Sequence, residues 1–203
     1  MMRLSWRGFI TALLVVLLFG LVIRMLYFSV PGLDRHDESK LWAYWIHIGG
    51  GTVVMLLGPF QFIAPIRNRF RRYHRWAGYT FVAASLAAFV GFWGVQPTSP
   101  DTFFASQATA ITLWMGAMVA AVLAARRKRF LTHQHNMTRA FVLAAYFVVV
   151  RLMDNGMSTI GPWLSKSNDV QLAHSDWIAW VMPLVAVEVY YGMKWDRLLK
   201  RRA

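Results

Sequence analysis

Six histidines, an arginine surplus and no cysteine define the chemistry open to this 203-residue chain. Without thiols, disulfides and thiolate metal sites are unavailable, so a metal would need histidine, methionine or carboxylate ligands. Two stretches place histidine at the opening of a long apolar window: Arg71-Arg72-Tyr73-His74-Arg75-Trp76 and Thr132-His133-Gln134-His135-Asn136-Met137-Thr138-Arg139. The positive end of a helix dipole disfavours imidazolium, and neutral imidazole is the form that ligates a metal. Two helices offering histidine at one depth are the minimum for a six-coordinate haem. On this reading His74 and His133, or His135 in place of His133, hold haem b as metal ligands, and Arg67, Arg75 and Arg139 meet its propionates. The same arginines suit a simpler anion, because cations at a helix start are unfavourable unless an anion sits among them. Anionic phospholipid headgroups supply one.

His47 belongs to a different pattern. It shares helical spacing with Gly51, Val54, Gly58 and Gln61, a face on which glycines let a neighbouring helix or a flat ligand approach the backbone. The expectation for His47 is therefore either helix packing, with its ring hydrogen-bonded to a neighbour, or cofactor binding. Arg24, Arg151 and Glu188 also fall within apolar windows, where charges seek partners. Asp154 is one turn from Arg151, and Glu188 is placed to meet an arginine near one membrane surface or to relay protons.

The elements that position these residues are spans. The chain is 57% hydrophobic and 15% charged, more apolar than a soluble core of this length can hide. Six windows have the roughly twenty apolar residues a spanning helix needs: near Gly8–Val30, Leu41–Ile63, Trp76–Val95, Gln107–Ala125, Met137–Met157 and Asp176–Met193. The expected fold is all-α, one transmembrane domain over residues 1–203. The net charge of +13 would suggest nucleic acid in a soluble protein, but the basic residues cluster between spans, which favours a juxtamembrane role and excludes nucleic acid as the partner.

Lysine and arginine mark the cytoplasmic side. With both termini there, the inner segments collect Arg67 to Arg75, Arg126 to Arg129 with Arg139, and Lys194 to Arg202, while most acids gather outside. Trp42, Tyr44, Trp45, Trp93, Trp163, Trp177 and Trp180 form the expected outer aromatic belt, and Trp6, Tyr73, Trp76, Tyr190, Tyr191 and Trp195 the inner one.

His47 ahead of Gly58-Pro59-Phe60-Gln61-Phe62, then Arg67, His74-Arg75 with Gly78-Tyr79, His133 with Met137 and Arg139, and Arg151-Leu152 together resemble a family of bacterial predicted membrane proteins. It is catalogued as domain of unknown function twenty-three-oh-six. The resemblance covers roughly residues 40–155 and implies the membrane architecture and the choice of residues, with His133 as the family-level histidine and His135 a local extra. No reaction follows from it. At the level of fold alone, the chain is also similar to membrane di-haem cytochromes b. The leading expectation is a multi-pass protein of the bacterial inner (cytoplasmic) membrane that passes electrons to a quinone or a membrane redox partner. The alternative is a haem-free protein that binds or moves a small anionic ligand or lipid, or a subunit or assembly factor of a membrane complex.

Overall fold

The computed structural model describes residues 16–24, 26–27, 38–95, 104–164 and 168–200, the side chains of 151–175 and 197–200 excepted. Residues 16–24 are helical. A single 3₁₀ turn, Glu38–Lys40, leads into α1 (Leu41–Phe62), followed by α2 (Ala64–Arg69), α3 (Arg71–Val95), α4 (Phe104–Arg126), α5 (Phe130–Leu164) and α6 (Asn168–Lys200). Among the described residues there is no strand. Helices satisfy every backbone group internally, which hydrocarbon demands because it offers no hydrogen bonds. Hydroxyls follow the same rule: Thr52, Thr80, Thr109 and Thr112 each donate to the carbonyl four residues back, at 2.6–3.1 Å.

Three helices are long and apolar enough to cross a membrane among the described residues: Glu38–Phe62, Arg71–Val95 and Phe104–Arg126. This is fewer than the six windows of the sequence. The window in α6 contains Asp176 and Glu188, whose charges lower its hydropathy. Most of the first window and the later part of the window in α5 lie outside the fully described residues, as do both termini.

The chain forms two compact units, Met1–Gln96 and Pro97–Ala203. In the first, α1 and α3 run antiparallel in close contact along a stripe of small residues. A Cβ on Gly50 would lie 2.5 Å from the Ala84 carbonyl oxygen and 2.7 Å from the Ala88 nitrogen. A Cβ on Gly91 would lie 2.6 Å from both the Ala43 oxygen and the His47 nitrogen. Glycine is therefore required at both crossings, since lipid tails provide no hydrophobic drive for helix pairing and close backbone contact must provide the attraction. His47 fastens this contact, with Nδ1 2.8 Å from the Ala88 carbonyl oxygen, to which the Nδ1–H tautomer donates.

In the second unit α5 packs against both α4 and α6. Ala110, Ala121 and Ala124 of α4 are buried, as are Ala140 and Ala144 of α5, again small residues where helices meet. The corner between α4 and α5 is a Schellman turn: the Arg129 N–H bonds the Ala124 carbonyl and the Lys128 N–H the Ala125 carbonyl, both at 2.9 Å, with Lys128 left-handed at φ 58°. That turn reverses the chain inside a run of good helix formers. At 35 and 33 residues, α5 and α6 are about 50 Å long by the helical rise, well beyond a hydrocarbon core of about 30 Å.

Of the aromatic residues expected at the membrane surfaces, Trp42, Trp45 and Trp93 are exposed at one end of the first unit and Tyr73 and Trp76 at the other, and in the second unit Trp177, Tyr190 and Trp195 are exposed. Trp45 to Phe62 and Trp76 to Trp93 each span about 26 Å along the helix axis, close to the hydrocarbon thickness. Trp180 and Tyr191 leave the belts predicted for them: both are buried, bonded to Ser106 and Thr138. Tyr44 is only partly exposed, and Trp6 and the side chain of Trp163 lie outside the described residues.

The crossing at Gly50 is testable by its contrast with its neighbours. Gly50→Val forces α1 and α3 apart and is expected to cost about 1–3 kcal/mol, read as a lowered thermal midpoint in detergent. Gly49→Ala and Gly51→Ala, where an added Cβ meets nothing within 4 Å, are expected to leave it unchanged or raise it.

Candidate functional site

The candidate residues fall into three places, the first being the middle of the α1–α3 contact. His47 is there, and its ring lies 6.2 Å from that of Phe92. The backbones are too close at this level to admit a flat ligand between the two helices, so the geometry at His47 is that of helix packing. The register also separates His47 from His74. The Ala88 partner of His47 lies fourteen residues beyond His74 on α3, about 21 Å along the axis.

The second place is the basic end of the first unit. Pro65 starts α2 at a position where its missing N–H costs nothing, and the short helix then turns the chain into α3. Arg67, Arg69, Arg71, Arg72 and Arg75 fall within nine residues, all of them exposed except the partly exposed Arg67. Arg67 Nε reaches Asn68 Oδ1 at 3.5 Å, and the Arg69 guanidinium lies 5.9 Å from the Phe70 ring centroid. Asn68, Arg69, Phe70, Arg71, Arg72 and Tyr73 line a shallow open depression. Among the described residues of this unit the one carboxylate side chain is Glu38, at the opposite end of α1 and about 30 Å away by the helical rise. No ion pair is formed by these arginines among the described residues. His74 and Arg75 open α3 at the same level.

The third place is the α5–α6 contact at the opening of α5. Arg139 holds Glu188 with two parallel bonds, Nε to Oε1 at 2.6 Å and Nη2 to Oε2 at 2.5 Å, the fork geometry that suits guanidinium to carboxylate. Its remaining nitrogen, Nη1, donates to Asn136 Oδ1 at 2.9 Å, and Asn136 Nδ2 donates to the Thr132 carbonyl at 3.0 Å. His135 stacks on Tyr191 with ring centroids 4.2 Å apart, and its Nε2 is 3.3 Å from Glu188 Oε2. The Lys194 ammonium lies 5.2 Å from the centroid of the same tyrosine ring, and the Tyr191 hydroxyl is 3.0 Å from that of Thr138. The predicted partner for Glu188 is thus Arg139, whose charge is already matched within the protein.

His133 faces elsewhere. Two residues from His135, it projects from the far side of α5, where its Nδ1 is 2.9 Å from the Ala121 carbonyl oxygen of α4. His133 and His135 therefore do not share one ligand. His74 belongs to the first unit and both of these histidines to the second. Among the described residues no cluster of three or more histidine, aspartate or glutamate side chains gathers as a metal site. The side chains of Arg151 and Asp154 lie outside the described residues, and Arg24 is exposed.

Sequence reasoning missed a buried polar layer in the second unit. Tyr146 donates to Asp176 Oδ1 at 2.6 Å, and Trp180 Nε1 donates to the Ser106 hydroxyl at 3.0 Å. All four residues are buried. Asp176 was expected at the outer surface, but it shares helical spacing with the buried Ala179, Trp180, Val187 and Tyr191, a signal that periodicity along α6 contains.

The ion pair of α5 and α6 gives a stability test. Arg139→Ala strands a carboxylate and is expected to cost about 2 kcal/mol, between the values for exposed and for buried pairs because Glu188 is 42% exposed. The double variant Arg139→Met with Glu188→Leu is expected to recover most of that loss in thermal denaturation.

Comparison with known proteins agrees with the architecture. No curated protein and no solved structure matches the chain. One family model, described as predicted membrane protein (DUF2306), matches residues 44–191, which contain His47, the arginine segment, His74, the α5 histidines and Glu188. With most of its length matched and its helices apolar enough to span a bilayer, this membrane protein belongs to the DUF2306 family.

Proposed function

We propose that this is a multi-pass protein of the bacterial inner membrane that binds an anionic ligand, an anionic phospholipid headgroup or a small anion, on its arginine-rich face. The architecture proposed with it is six spans with both termini cytoplasmic, which puts the arginine segment between α1 and α3 on the cytoplasmic side. One observation carries the reading: five arginines within nine residues at an end of the first unit where no described carboxylate answers them. By contrast Arg139 of the second unit is matched by Glu188. Cations concentrated at a membrane surface attract anionic lipid by about 1 kcal/mol each, and the exposed Phe70, Tyr73 and Trp76 set the segment at headgroup depth.

A second reading keeps haem b, with His133 supplying one axial ligand, and with electrons passing to a quinone or a membrane redox partner. The bond from His133 Nδ1 to a backbone carbonyl favours it, because metal-ligating histidines are usually held in this way with Nε2 left to the metal.

Both readings have direct tests. Phosphatidylglycerol added to the detergent-purified protein is expected to raise the thermal midpoint by a few degrees, and phosphatidylcholine to leave it unchanged. Replacing Arg67, Arg71 and Arg72 together by alanine is expected to abolish the shift, and added salt to weaken it. An equal shift in the triple variant ends the proposal. For haem, the visible spectrum before and after dithionite decides: a Soret band lost in His133→Ala supports the second reading, and a flat spectrum from protein expressed with ample haem removes it.

A further inference from the structure

Gln61 is a buried amide with an unmet donor. It lies in the last turn of α1, is 7% exposed, and its Nε2 has no hydrogen-bond partner among the described residues. A buried donor left unmet costs free energy and is rare enough to need an explanation. Its direction is set by the helix face it occupies. Gln61 stands close to three full turns beyond Gly50 and so on the face that Gly50 turns toward α3. Gly50 stands against Ala84 and Ala88, and Gly91 against Ala43 and His47. Continued toward the basic end, that antiparallel register brings Gln61 level with His74 and Arg75 in the first turn of α3.

Three features therefore converge at one place. The unmet amide of Gln61 faces the N-terminus of α3, a 25-residue helix whose first N–H groups have no intrahelical acceptor. Arg67, Arg71, Arg72 and Arg75 lie in the same stretch of chain, with no described carboxylate near. We infer that the basic end of the first unit seats a phosphate group, with the Gln61 side-chain amide and the opening turn of α3 donating to its oxygens and the arginines neutralising its charge. Phosphate suits this arrangement better than a carboxylate does. Its several oxygens accept from an amide, from backbone N–H groups and from guanidinium at once. The inference rests on the anion-binding reading and narrows it from a charged face to a site with a named buried donor. The phosphate is that of an anionic lipid headgroup or of a free phosphate, chemistry the two sources share.

The test compares thermal midpoints of the detergent-purified full chain during titration with phosphatidylglycerol, with inorganic phosphate, and with phosphatidylcholine as control. In Gln61→Leu the unmet donor is gone, so the ligand-free protein is expected to unfold at the same temperature as wild type or higher. Half-maximal stabilisation is expected to need about tenfold more ligand, the effect of one lost hydrogen bond to a charged group. Gln61→Glu, of nearly the same size but repelling an anion, is expected to lose the shift as well and serves if the leucine variant does not fold. A wild-type shift with phosphatidylglycerol alone assigns the phosphate to lipid, and an equal shift with inorganic phosphate assigns it to the free ion. A wild-type shift that persists at the same ligand concentration in both Gln61 variants overturns the phosphate site while leaving the arginine face intact. A wild-type protein that responds to neither probe removes both.

Discussion

Hydrocarbon offers polar groups no hydrogen bonds, and the packing of both units follows from that one constraint. In the first unit it makes the glycines at 50 and 91 indispensable, because helices surrounded by lipid are held by close contact rather than by the exclusion of water. Once the backbones of α1 and α3 approach so closely, the carbonyl of Ala88 comes within reach of His47, and a ring that sequence alone leaves open between ligand and packing becomes a clasp between two helices. The second unit obeys the constraint with side chains. Tyr146 meets Asp176, Trp180 meets Ser106, and Arg139 meets Glu188, each bond joining two of the helices α4, α5 and α6.

Against that background the charges divide into two kinds. Arg139 has its counter-charge built in and is held on a third side by Asn136; its work is to join α5 to α6. The arginines from 67 to 75 stand at the end of a unit whose described carboxylate is a full helix length away. Charges of one sign gathered at a membrane surface draw their partners from outside the protein. The contrast between matched and unmatched arginine, more than the number of arginines, separates a structural cluster from an exposed basic face. The same contrast applies to amides, where Asn136 is engaged on both sides and Gln61 has a donor to spare.

The histidines show how position along a helix leaves function undecided. His133 and His135 look interchangeable in a linear string, yet a step of two residues turns them to opposite sides of α5, one toward a carbonyl of α4 and the other onto a tyrosine of α6. His135 is thereby placed beside Glu188, and His133 is held against the Ala121 carbonyl.

Sequence by itself determined the solvent, the secondary structure and the distribution of charge. Long apolar windows can be satisfied only as helices in lipid, and the arginine clusters are legible because they interrupt those windows. It also singled out Glu188 as a charge in need of an arginine, and the glycine face of α1 as a contact surface. Tertiary structure decided which groups meet. Hydropathy is a property of single positions, whereas a hydrogen bond depends on two helices and their register. So the choice of Arg139 for Glu188, the burial of Asp176 and Trp180 away from the surface, and the unmet amide of Gln61 became visible only when α1 lay against α3 and α5 against α6.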